Sequence, residues 1–171
     1  MTEIRWHARA GQGAKTAAQV LAVALLRDGK SAQAFPEYGP ERRGAPMRAY
    51  TRYDDRPIRR HDSVEEPDVV VVLEPSLVHL PDVRAGLRPG GRLLVNTTTP
   101  VADAVCVPAD ELAPGGTNLV MLGALAALLG EPPLESLVDA AVEALGKKAD
   151  PAALRAALAA GHGALEGRWA A

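Results

Sequence analysis

Short runs of alternating or β-branched apolar residues fill the first two thirds of the chain, and helical periodicity takes over in the last third. Thr2 to His7 reads as a short strand in which Ile4 and Trp6 supply alternate apolar side chains. A loop, Ala8-Arg9-Ala10-Gly11-Gln12-Gly13, leads into a helix from Ala14 to Arg27 whose Ala17, Leu21, Ala24 and Leu25 share one face, with Gly29 as its C′ stop. Strand, glycine loop and helix in that order open an α/β unit. Ser31 to Phe35 and Met47 to Tyr53 are the next expected strands, separated by a segment rich in glycine, proline and charge. Asp68 to Leu73 is the clearest strand, because a continuous β-branched run is buried on both faces and belongs in the middle of a largely parallel sheet. Arg92 to Asn96 and Ala104 to Val107 complete the set.

From Thr117 onward the pattern is helical. Asn118 to Leu129 is apolar nearly all round, which predicts a helix enclosed on every side. Leu134, Leu137, Val138, Ala141, Val142 and Leu145 form a stripe closed by Gly146, and Asp150 caps a last helix that has Pro151 at its first position. No repeat or long linker divides the chain. The expectation is one Rossmann-like α/β domain over residues 1–171, with a mostly parallel sheet and a helical C-terminal section.

Composition adds mainly exclusions. The net charge of −2 gives no global basic field, so nucleic acid is not an expected partner. The longest apolar segment, Leu119 to Leu129, is well short of the ~20 residues that span a bilayer. The first residues lack a signal-peptide pattern, so a soluble cytoplasmic chain is expected. A single cysteine, Cys106, excludes an intrachain disulfide and a cluster held by this chain's thiolates alone. His7, His61, His79 and His162 show no metal-ligand spacing, so no metal site is expected. Charge is uneven all the same. Arg42, Arg43, Arg48, Arg52, Arg56, Arg59 and Arg60 crowd one stretch, which reads either as a solvated surface or as a basic patch facing an anion or a partner.

Three segments are candidates for chemistry. In the first loop Gly11 and Gly13 allow positive φ and close backbone approach beside a helix N-terminus, which suits an anion as well as a plain tight turn. The loop fits neither the G-x-G-x-x-G fingerprint nor the P-loop spacing. In the second, Phe35 to Pro46, Arg42 and Arg43 beside Gly44 suit bidentate binding of a carboxylate or phosphate, or pairing with Glu37 and Glu41. The third, Asn96-Thr97-Thr98-Thr99-Pro100, ends a strand where α/β proteins often place ligand contacts. Cys106 reads as a small strand residue, and no residue is assigned a catalytic role.

Taken in order, these segments resemble a known family. Arg5-Trp6-His7-Ala8-Arg9-Ala10-Gly11-Gln12-Gly13-Ala14, Ala32-Gln33-Ala34-Phe35-Pro36 and Gly39-Pro40-Glu41-Arg42-Arg43-Gly44-Ala45-Pro46 are similar to the gamma domain of pyruvate or 2-ketoisovalerate:ferredoxin oxidoreductases. Pro57-Ile58-Arg59, Glu66 to Leu77, Leu94-Val95-Asn96-Thr97 and Asn118 to Ala124 continue the likeness, which fades after about Gly130.

The resemblance implies a non-autonomous subunit of a complex that oxidatively decarboxylates a 2-oxoacid on thiamine diphosphate, reduces ferredoxin through iron–sulfur clusters and yields an acyl-coenzyme A. It implies partner subunits of alpha, beta and delta type that hold the thiamine diphosphate and the clusters, with no cofactor bound by this chain alone. It further implies that Gly11, Gln12, Gly13, Arg42, Arg43, Gly44 and Asn96 line a region facing coenzyme A or a neighbouring subunit. Where the family has G-x-G-G-Q-G, this chain has Ala8 and Ala10 at the first two glycines. An altered acyl acceptor, a weaker coenzyme A contact and a different 2-oxoacid all accommodate that change. A stand-alone nucleotide or coenzyme A binding module and a purely structural subunit are the competing expectations.

Overall fold

The computed structural model describes residues 1–37 and 44–165. Six strands form one sheet in the order β2-β3-β1-β4-β5-β6, with β1 Thr2–Arg9, β2 Ser31–Glu37, β3 Pro46–Asp54, β4 Val69–Val72, β5 Arg92–Asn96 and β6 Val105–Val107. Three of the five pairings, β1–β4, β4–β5 and β5–β6, are parallel, while β1–β3 and β2–β3 are antiparallel. The expected α/β fold with a mostly parallel sheet is thus present. Its one irregularity is β3, which sits between β1 and β2 and runs against both. The edge strand β2 carries Pro36 opposite Ala49, and proline in a sheet is confined to such edges because it has no N–H to give.

Helix α1, Ala14–Arg27, leaves the end of β1. It stops where expected, with Gly29 at φ +83° and the Lys30 N–H returning to the Leu25 carbonyl at 3.0 Å. A 3-10 turn, Pro75–Leu77, and the short helix α2, Pro81–Arg84, connect β4 to β5. After β6 come α3 Ala109–Leu112, α4 Thr117–Leu129, α5 Leu134–Leu145 and α6 Pro151–Leu165. The Asp150 carboxylate caps α6 by accepting from the Ala153 N–H at 3.3 Å.

The long helices supply one core layer. Ile4, Trp6 and Ala8 of β1, Val71 of β4 and Leu94 of β5 pack with α1, α4, α5 and α6. Helix α4 lacks a polar face because its surroundings enclose it, and α6 crosses it at backbone contact. A Cβ on Gly123 would lie 2.0 Å from the Leu158 carbonyl oxygen, and one on Gly161 would lie 1.8 Å from that of Val120.

The opposite sheet face is divided. Over β4 and β5, Val70, Val72, Leu93 and Val95 meet Leu77, Val78 and Val83 in a small apolar layer. Over β1 and β3 the side chains are charged or polar, and all but the half-buried Arg48 are still buried. Glu3, Arg5 and His7 stand opposite Arg52, Tyr50 and Arg48.

Candidate functional site

The carboxyl ends of the parallel strands β1, β4 and β5 form a rim, and the first loop lies on it. β1 runs on to Arg9, two residues past the expected end. Gly11 and Gly13 then take φ of +98° and +82°. The two glycines are needed for different reasons. A Cβ on Gly11 would meet nothing within 4 Å, so conformation alone demands glycine there. At Gly13 a Cβ would also lie 2.5 Å from Asn118 Nδ2, which donates to the Gly13 carbonyl at 3.3 Å.

That contact brings the first turn of α4 against the N-cap of α1. Neither helix has a side-chain cap, and neither first turn carries an acidic residue. The positive ends of two helix dipoles therefore converge on this part of the rim.

Ala8 and Ala10 fit without strain. Ala8 is still within β1, paired with Met47, and its methyl is buried in the main core. The Ala10 N–H donates to the Ala45 carbonyl at 2.9 Å. Neither takes positive φ, and Asp103 is the one non-glycine residue that does among the described residues.

A closed circuit of side chains fastens the loop. Gln12 Oε1 accepts from the Arg9 backbone N–H at 2.7 Å, and Gln12 Nε2 donates to Glu74 Oε2 at 2.8 Å. Glu74 Oε1 accepts from the Ser76 hydroxyl at 2.8 Å, and the same hydroxyl oxygen accepts from Arg9 Nη2 at 3.1 Å. Arg9 Nη1 also reaches the Gly44 carbonyl at 3.1 Å, which ties the first loop to the second segment. Partial burial pushes the Glu74 carboxyl up. The hydrogen bonds from Ser76 and Gln12, with the Arg9 charge, outweigh it and hold the group below its ordinary range. Gly44, at φ +80°, borders the loop, whereas Arg42 and Arg43 lie outside the described residues.

Asn96, at the end of β5, is buried, and its amide is fully engaged. Nδ2 donates to the Leu73 carbonyl and to Asp110 Oδ2, each at 3.0 Å, and Oδ1 accepts from the Ala109 N–H at 3.0 Å. Asp110 in turn accepts from the Thr117 hydroxyl at the start of α4. Asn96 thus braces β4, α3 and α4 from beneath the rim. Residues 11–13, 44 and 96 all belong to this end of the sheet.

On the charged sheet face, His7, Glu37, Met47, Arg48, Leu80 and Asp82 line a recess of about 200 Å³. Arg5 is buried, and its Nη2 donates to the carbonyls of Asp82, Val83 and Ala85 at the end of α2. Its Nε donates to His7 Nε2 at 3.1 Å. Burial, with Arg5 and Arg48 nearby, holds the His7 imidazole down to about 3, so it is neutral at physiological pH. Among the described residues of the arginine-rich stretch Arg52 alone is buried, Arg48 is half-buried, and Arg56, Arg59 and Arg60 are exposed. Arg52 is fully buried against Glu3, and Arg48 pairs with Asp82 at 2.7 Å. Arg60 pairs with Asp62, while Arg56 stays exposed. Among the described residues no group of three or more His, Cys, Asp or Glu side chains could hold a metal, and no helix is long and apolar enough to cross a membrane.

The sequence profile of the pyruvate ferredoxin/flavodoxin oxidoreductase family matches residues 3–165. The chain belongs to this family. It is 46% identical over 168 residues to the pyruvate/ketoisovalerate oxidoreductases common subunit gamma of Thermococcus kodakarensis, covering 86% of this chain and 91% of that one. The crystal structure of pyruvate oxidoreductase subunit PORC from Thermotoga maritima superposes with a TM-score of 0.80 at 39% identity, covering 95% of both chains. A 2-oxoglutarate:ferredoxin oxidoreductase from Magnetococcus marinus, with 2-oxoglutarate, coenzyme A and succinyl-CoA bound, shares the fold at a TM-score of 0.77 and 19% identity. The match covers 95% of this chain and 30% of that one. Within the family the chain is of the gamma-subunit type, as the ordered segments implied.

Sequence reasoning placed the glycines and missed what holds them. Arg9, Glu74, Ser76 and Asn118 were assigned no role. The one local signal was Glu74-Pro75 directly after the strongest strand, a capping residue before a proline at the first position of a turn.

Proposed function

We propose that this chain acts in a thiamine diphosphate-dependent 2-oxoacid:ferredoxin oxidoreductase, as the subunit whose rim faces coenzyme A and helps seat the catalytic subunits. In this reading alpha, beta and delta-type partners hold the thiamine diphosphate and the iron–sulfur clusters, ferredoxin takes the electrons, and the complex works in the cytoplasm. Gly11, Gln12, Gly13 and Gly44, with Arg42 and Arg43, form the ligand-facing set, and Asn96 braces it. The observation that carries the reading is the meeting of two side-chain-uncapped helix N-termini at Gly13 and Asn118. Such ends favour the phosphate groups of coenzyme A.

The test is the complex rebuilt with Gly13→Ala, which forces a Cβ onto Asn118 and disfavours the backbone the turn requires. A rise of about tenfold in KM for coenzyme A, with the subunits still co-purifying, is the expected result; one lost charged hydrogen bond has that size. An unchanged KM in an intact complex would remove coenzyme A from the rim and leave the subunit a structural role.

A further inference from the structure

Resting on that reading of the rim, we propose that Glu74 is a positioning residue for the coenzyme A site, holding Gln12 and through it the backbone of residues 11–13 in the geometry that meets the ligand. The two oxygens of its carboxylate do different jobs. Oε1 serves the 3-10 turn, accepting from the Ser76 N–H at 3.3 Å and from the Ser76 hydroxyl at 2.8 Å. A local cap needs no more than that, and Ser, Thr, Asp or Asn would supply it with a shorter side chain. Oε2 points away from the turn and takes the Gln12 amide at 2.8 Å, from a residue 62 positions earlier in the chain. The extra methylene of glutamate is what reaches Gln12.

Gln12 is spent on the same bridge. Its Oε1 takes the Arg9 N–H and its Nε2 gives to Glu74, so the side chain spans the loop from its first residue to the end of β4. Its place between two positive-φ glycines gives the bridge a purpose, since glycine loses more conformational freedom on ordering than any other residue. The circuit closes through Ser76 and Arg9. A ligand phosphate arriving at the α1 N-terminus therefore finds the turn already set, and the cost of ordering it is not charged to binding.

Three rebuilt complexes test the proposal: Glu74→Asp, which keeps the charge and the cap but loses the reach; Gln12→Ala; and the two together. Glu74→Asp is expected to raise KM for coenzyme A about tenfold, the size of one charged hydrogen bond, with kcat changed less than about twofold. The double variant is expected to be no worse than Gln12→Ala, because Gln12→Ala already removes the contact that Glu74→Asp loses. Amide hydrogen exchange at residues 11–13 of the complex should quicken in Glu74→Asp, and this readout needs no turnover. If Gln12→Ala raises KM while Glu74→Asp changes neither KM nor exchange, the positioning role is wrong and the coenzyme A reading stands. If exchange quickens but neither variant moves KM, the loop does not serve coenzyme A, and the proposal falls with the reading beneath it.

Discussion

The two faces of β1 bury their side chains equally well and by opposite means. Ile4, Trp6 and Ala8 enter a continuous apolar layer beneath four long helices, whereas Glu3, Arg5 and His7 lie under a thin cover of turns and α2. Burial on the first face is favourable wherever apolar atoms meet. On the second, each group needs a particular partner. Arg52 stands 3.2 Å from Glu3 Oε1, yet neither that oxygen nor Arg52 Nε has a hydrogen-bond partner among the described residues. Arg88 completes the cluster, bridging Glu3 at 3.1 Å and Asp68 at 2.9 Å. An apolar layer tolerates approximate partners and fails on volume. A charged one fails when a single partner leaves.

The contrast is sharpest at Arg52. Arg52→Ala would leave Glu3 buried with Arg88 as its remaining cation, at a cost of about 3–5 kcal/mol measured by denaturant unfolding. Adding Glu3→Gln to Arg52→Met should recover most of that loss, since a buried pair with poor hydrogen-bond geometry is weakly stabilising. If the double variant is as unstable as Arg52→Ala, the charged face is a better-matched network than its geometry indicates.

Next in size is the apolar face, where Gly161→Ala forces a methyl onto the Val120 carbonyl. Here the loss is about 1–3 kcal/mol, because overpacking is relieved only by moving a helix. An unchanged melting temperature would mean that α6 slides freely on α4.

The faces also differ in their response to pH. His7 titrates at about 3, below the ordinary histidine value, so between roughly pH 6.5 and 3 the unfolded chain binds a proton that the folded chain refuses. Stability therefore rises with pH across that window and is lost on acidification. His7→Gln should flatten the fall in melting temperature between pH 6.5 and 3.5. An identical profile would show that the carboxylates alone set the acid limit.

The elements with periodic apolar side chains were legible in the sequence nearly to the residue. α1, β5 and α4 fall where their patterns place them, because burial against one layer imprints a period. The antiparallel course of β3 was not legible, since direction is settled by pairing with distant strands. Nor was the buried state of Arg5, His7 and Arg52, whose charges look like those of a solvated strand until Asp62, Asp82 and Val83 are brought over them. The same division runs through the site. Gly11 and Gly13 could be read from backbone freedom alone, but Glu74 acquires its role from a partner 62 residues away.

Pro36 has a consequence for how a larger assembly can form. A strand from another chain pairing along the outer edge of β2 would find an unfilled rung at Pro36, and β6 at the far edge offers only three residues as a template. The sheet is thus terminated at six strands on both sides. Growth by open-ended strand addition is blocked, so side chains rather than strand edges must choose any partner.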